Sequence, residues 1–180
     1  MAMGGRMSRA DVEVELRGQG AESDMLGLIF GEGEQQFDFH TLQGHHAPDT
    51  RSDLLYKSAL DDRSHSTFTG IISIGKDAPR SEAYQANRNL LLSSGARADT
   101  EPKLEILIDD VARCTHGATV GPVDEEQLFY LRSRGMDKQT ATRMIVEGFF
   151  EEVFQKVGDE RVTADLAKAI EPHVGRLEAV

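Results

Sequence analysis

The chain has no tryptophan, one cysteine and five prolines in 180 residues. A single cysteine excludes an internal disulfide framework, and no positively charged segment leads into an apolar one at the N-terminus. A reducing cytoplasm is therefore the expected compartment. The longest apolar-plus-glycine run, Met25 to Phe30, falls far short of the roughly 20 residues that a membrane-spanning helix needs. Basic residues are scarce as well: 20 Lys and Arg stand against 31 Asp and Glu, a formal charge of −11. Without a local basic stripe that balance repels a phosphate backbone. The expectation is a soluble protein that binds neither membrane nor nucleic acid. No GxxxxGK[ST] loop is present, and Gly31, Gly33, Gly70 and Gly75 lack the strand-to-helix setting of a dinucleotide fingerprint.

What is present divides the chain by texture. Residues 10 to 108 read as short strands between turn residues. Asp11 to Arg17 alternates apolar and charged with period 2 until Gly18-Gln19-Gly20 breaks it. Met25 to Phe30, Phe37 to Thr41, Leu54 to Leu60, Ser66 to Ile74, Ala83 to Leu92 and Lys103 to Ile108 continue the pattern. Many strands without intervening helices exclude a parallel sheet with helical crossovers and leave a sandwich, a barrel or a solenoid. Asn87-Arg88-Asn89 is a small pointer to coiled parallel strands, where asparagines can stack, although an ordinary turn explains it equally well.

After Gly121 the period becomes helical. Asp124 caps a helix with Gln127 three residues on and Gly135 as its stop, and Asp137 opens a second. In that second helix Ala141, Met144, Ile145, Gly148, Phe149 and Val153 form the expected apolar stripe, ended by Gly158-Asp159. A third carries Val162, Leu166, Ala169 and Ile170 as far as Pro172. The expected division is a strand unit over 1–121 and a helical unit over 122–180, whose stripes need a partner surface.

Three constellations carry chemistry. If the strand through Leu104, Ile106 and Ile108 runs on unbroken, Asp110, Ala112, Cys114 and His116 share one face, a soft metal site or an activated nucleophile. The plainer reading is a small buried cysteine near a strand end. His40, His45 and His46, with Asp38 and Asp49 nearby, suit a divalent metal in a small β-barrel metalloenzyme, yet His40-x4-His45-His46 matches no tight ligand signature. The paired carboxylates Asp109-Asp110, Glu125-Glu126 and Glu151-Glu152 point apart on a strand or a helix and receive no chemistry.

Four segments, in order, carry a family resemblance: Asn87-Arg88-Asn89-Leu90-Leu91-Leu92-Ser93, Leu104-Glu105-Ile106, Cys114-Thr115-His116-Gly117-Ala118-Thr119-Val120-Gly121, and Asp124 to Gly135. They closely resemble the SufB/SufD family of iron-sulfur cluster assembly scaffolds, from about residue 5 to about residue 157. Gly117 follows His116 where SufB-like chains resemble His-Glu-Ala-Thr, so the likeness lies on the SufD side. It implies a right-handed parallel β-helix followed by a small α-helical domain, a non-enzymatic scaffold, and partners resembling SufB and the ATPase SufC. It also implies that SufC docks on the helices, at Phe149 and Phe150, and that a transient iron-sulfur cluster forms at the partner interface with no cofactor stably bound. His116 is the implied metal ligand, with Cys114 as the accompanying thiol.

Two departures accompany the resemblance. The family's N-terminal helical domain and most of its β-helix are missing, so a fragment or a truncated relative is expected. Its first rung would expose an edge that favours a partner or a homodimer in isolation. In addition, two residues, Ala112 and Arg113, separate Val111 from Cys114 where the family usually has one, which leaves the facing of Cys114 open.

Overall fold

The computed structural model describes residues 1–177; residues 178–180 of the expected helical unit lie outside the described residues. Eight strands come first: β1 (Met7–Leu16), β2 (Glu22–Gly31), β3 (Gln36–His45), β4 (Arg51–Leu60), β5 (His65–Ile74), β6 (Ser81–Leu91), β7 (Arg97–Ile106) and β8 (Val111–Pro122). Three helices follow: α1 (Glu125–Ser133), α2 (Lys138–Val157) and α3 (Glu160–Val174).

Odd and even strands separate into two parallel sheets, ordered β1-β3-β5-β7 and β2-β4-β6-β8. Each successive pair of strands is one rung, so the chain winds a parallel β-solenoid of about four turns. Of the three architectures compatible with strand spacing, the sandwich and the barrel are thereby excluded. The winding has a period that lengthens along the chain: Met7 pairs with Gln36 and Gln36 with His65, 29 residues apart each time, and His65 pairs with Arg97, 32 residues on. Turn chemistry repeats with it, because Gly20, Asp49 and Arg80 all take a positive φ at equivalent corners. At those corners Arg80 donates to Asp49 Oδ1 at 2.6 Å and Gln19 to Asp49 Oδ2 at 3.0 Å, so polar side chains clamp three rungs in register.

Within β5 every second residue is buried, which assigns Phe68, Gly70, Ile72 and Ile74 to the interior. Met25, Ile29, Phe37, Phe39, Leu54, Tyr56 and Phe68 form the apolar half of that interior. The other half is polar. His45, fully buried, has Thr50 Oγ1 and Ser52 Oγ each at 2.8 Å from its two ring nitrogens. Asn87 and Asn89 are interior too, but they bond along one strand, Asn89 Nδ2 donating to Asn87 Oδ1 at 2.6 Å, rather than stacking between rungs.

The outer face of the even sheet supplies the surface that the helices require. Leu28, Phe30, Leu55, Ala59, Ala86 and Leu92 pack against Val146, Phe150 and Val153 of α2 and Ile170 and Val174 of α3. The buried face of α2 is thus Ala141, Thr142, Val146, Phe150 and Val153; Ala141 and Val153 fall on the expected stripe, Val146 and Phe150 stand one residue along from Ile145 and Phe149, and Met144 is exposed. Asp124, Asp137 and Asp159 cap the three helices through side-chain oxygens that accept from backbone N–H groups. Pro172 lies inside α3 rather than ending it, because the helix needs only one further turn before Gly175, whose N–H donates to Glu171 O at 2.9 Å. Among the described residues no helix is long and apolar enough to cross a membrane.

Candidate functional site

The last rung, β7 and β8, differs from the two inner rungs before it. Each of its strands is the terminal member of its sheet, and its free edge pairs with no strand among the described residues. A side chain in an inner rung is covered by rungs on both sides, whereas one in the last rung is covered on one side only. Leu104 and Ile106 of β7 and Val120 of β8 are accordingly exposed although they occupy inward-facing positions.

The strand reaching Cys114 and His116 is not a continuation of β7, as an unbroken alternation required. It begins afresh at Val111 after a turn through 107–110, so Asp110 does not share a strand face with the two. Val111 pairs with Ser81 and Arg113 with Glu82, which leaves Ala112 as the extra residue of a β-bulge. That bulge absorbs the additional residue before the cysteine. Beyond it Cys114 pairs with Ala83 and His116 with Gln85, both interior positions of β6, so the thiol and the imidazole share the inner face. Two residues apart on one strand, they stand about 6.6 Å apart along the backbone.

Their surroundings differ. Cys114 is half-buried against Ile72, Ile74, Ala78 and Ala83, and burial pushes its thiol above the ordinary range. His116 is exposed. The outer of the two groups is thus a free imidazole, suited to a borderline metal such as iron, and the inner is a protonated thiol that metal binding would have to deprotonate.

The histidine alternative does not survive the fold. His45 points inward with both ring nitrogens engaged, and desolvation lowers its pKa to about 4. His40 and His46 point outward on separate carboxylates: His40 Nε2 lies 2.9 Å from Asp38 Oδ1, and His46 contacts Glu15. Neighbours on a strand face opposite ways, so these three cannot converge on one ion. Among the described residues no group of three His, Cys, Asp or Glu side chains is placed to hold a metal.

A second feature lies where the helices meet the sheet. Leu90, Pro122, Tyr130, Met144, Ile145 and Phe149 line a groove of about 830 Å³ between α1 and α2. No residue of α1 is buried, and Phe129 and Tyr130 face solvent. Of the two phenylalanines expected on a docking surface, only Phe149 reaches this groove; Phe150 is 1% exposed and belongs to the helix–sheet core.

Sequence reasoning did not find the group that holds α2 in place. Lys57, 4% exposed, interrupts the mainly apolar stretch from Leu54 to Leu60 of β4, and a charge at that point was the available signal. Its Nζ donates to Phe149 O at 2.7 Å, sits 4.8 Å from the Phe149 ring centroid and pairs with Glu152 Oε2 at 2.6 Å. Arg88 of β6 meets the same carboxylate oxygen at 2.7 Å. Between these cations the Glu152 carboxyl is held below its usual range, first by the Lys57 hydrogen bond.

Residues 1–149 match the family model described as SUF system FeS cluster assembly, SufBD core domain. A SufBD family iron-sulfur cluster assembly protein of Mycobacterium leprae is 36% identical over 178 residues, covering 95% of this chain and 45% of the relative. The iron-sulfur cluster assembly protein SufD of Escherichia coli is 35% identical over 158 residues, 88% of this chain and 37% of its own length. That of Bacillus subtilis is 37% identical over 159 residues, 88% and 36%. The chain thus spans less than half the length of these relatives.

Proposed function

The chain belongs to the SufBD family of iron-sulfur cluster assembly proteins, and on that premise we propose that it is a non-enzymatic scaffold contributing half of a cluster assembly site. The observation that carries this reading is the open last rung. It offers an exposed imidazole, His116, on the inner face of a strand with one open edge, beside apolar residues that an isolated chain leaves in water.

In this reading a SufB-like chain pairs along β7 and β8, covers Leu104, Ile106 and Val120, and brings further ligands opposite His116. The iron-sulfur cluster is cargo, held transiently. Ligands divided between two chains keep it exchangeable, since neither chain alone completes the coordination. Cys114 is the second ligand, engaged when partner docking or iron offsets the burial that keeps its thiol protonated. A SufC-like ATPase docks on the helical face, with Phe149 in the groove and Phe129 and Tyr130 beside it. The cytoplasm is the compartment that suits both the free thiol and such cargo.

Co-purification tests the reading. The chain co-expressed with SufB-like and SufC-like proteins of one source is expected to elute with both in a single complex. Elution of the folded chain alone, with the other two associated without it, would overturn the reading.

A further inference from the structure

Gln85 of β6 and His116 of β8 are direct lateral partners on the inner face of the solenoid. Gln85 is fully buried. Its amide lies across the interior over Gly70 of β5, Nε2 donating to Gly70 O at 3.4 Å. A Cβ at residue 70 would fall 2.3 to 2.7 Å from the amide atoms, so glycine there is the condition for this placement. The other end of the amide is unspent: Oε1 is sealed from solvent and has no hydrogen-bond partner among the described residues. A buried amide oxygen without a donor is unfavourable. The lateral partner of Gln85, one rung nearer the open end, is His116, an exposed imidazole that carries an N–H.

We propose that Gln85 is the positioning residue for His116: its Oε1 accepts the ring N–H, which fixes one neutral tautomer and one ring orientation. The remaining nitrogen then presents its lone pair toward the open end of the rung. Histidines that bind metals are commonly held this way, the second ring nitrogen donating to a carbonyl or carboxylate that sets tautomer and direction. The inference rests on the reading of His116 as a ligand. It accounts for three features together: a fully buried glutamine, the glycine that makes room for it, and an oxygen without a donor on the lateral strand partner of the candidate ligand.

The test is the tautomeric state of His116 in the 15N-labelled full chain, from long-range 1H–15N spectra above pH 8, with the signal assigned by its loss in His116→Asn. One tautomer is expected to predominate in the wild type. Gln85→Met, close in shape but without the acceptor, is expected to shift the tautomer ratio several-fold toward that of a solvent-exposed histidine, and Gln85→Glu to retain the single tautomer. A wild-type ratio equal to that of an exposed histidine overturns the proposal, as does an unchanged ratio in folded Gln85→Met. Should Gln85→Met not fold, the wild type and Gln85→Glu decide alone, loss of the single tautomer in Gln85→Glu counting against it. Cluster assembly with a SufB-like partner that is indifferent to His116→Ala would overturn the ligand reading and leave the tautomer result standing.

Discussion

Lys57 Nζ and Glu152 Oε2 lie 2.6 Å apart, joining the outer face of β4 to the middle of α2. Because the lysine is buried and the carboxylate also bridges Arg88, removing Glu152 strands a desolvated ammonium. Glu152→Gln is expected to cost about 2 kcal/mol, read as a lower urea midpoint with an unchanged slope. The carboxyl is depressed in the folded state. Its stabilisation is therefore complete above the ordinary carboxylate range and is lost as pH falls through the folded value. Glu152→Gln should lose part of the wild type's acid sensitivity, while Glu147→Gln, in the exposed Arg143 pair, should behave as wild type.

His45 gives a second pH dependence. Its folded pKa of about 4 lies below the ordinary value near 6.5, so the unfolded chain binds the proton first. Stability from this group is full above about pH 6.5 and falls as pH drops toward 4, by about 3 kcal/mol. Denaturation at pH 7 and pH 4.5 should show a markedly smaller difference in His45→Gln than in the wild type. Equal pH dependence in the two would mean that the imidazole is not held neutral.

Phe149 and Phe150 are adjacent in sequence and opposite in consequence. Phe150→Ala empties a site between α2 and the sheet and is expected to cost about 3 to 5 kcal/mol. Phe149→Ser should leave a folded protein and weaken SufC-like ATPase binding at least tenfold, measured by calorimetry. Unchanged binding of Phe149→Ser would remove the groove from the proposed docking surface.

The open rung predicts association. In isolation the chain is expected to dimerise with rising concentration through β7 and β8, and the double change Ile106→Lys and Val120→Lys to return it to monomer, seen by sedimentation velocity. Concentration-dependent association that survives those changes would place the contact elsewhere, the first-rung edge of β1 being the next surface to test.

The strands and caps were legible in the sequence because they are local. Alternation through Asp11 to Leu16 and the aspartates at 124 and 137 state their own conformations, whereas Asp159, read with Gly158 as the end of the second helix, caps the third. Architecture was not, since the solenoid is encoded in a repeat of positions, 29 to 32 residues long, rather than of residue types: Gly20, Asp49 and Arg80 share one corner conformation without sharing chemistry. The family resemblance supplied what the period did not. Facing proved hardest. Whether Cys114 looks inward depends on a bulge at Ala112, and whether Phe149 or Phe150 is exposed depends on where α2 meets the sheet. Both are set by contacts distant in sequence. Gln85 gave no signal at all, because its role comes only from its lateral pairing with His116.

The most direct test is cluster reconstitution on the complex of this chain with its SufB-like partner, supplied with ferrous iron and sulfide under anaerobic conditions and followed by visible absorbance and iron content. His116→Ala is expected to leave the complex intact and to lower cluster yield at least fivefold, with Cys114→Ser causing a smaller loss. A full cluster yield on an intact His116→Ala complex would contradict the half-site.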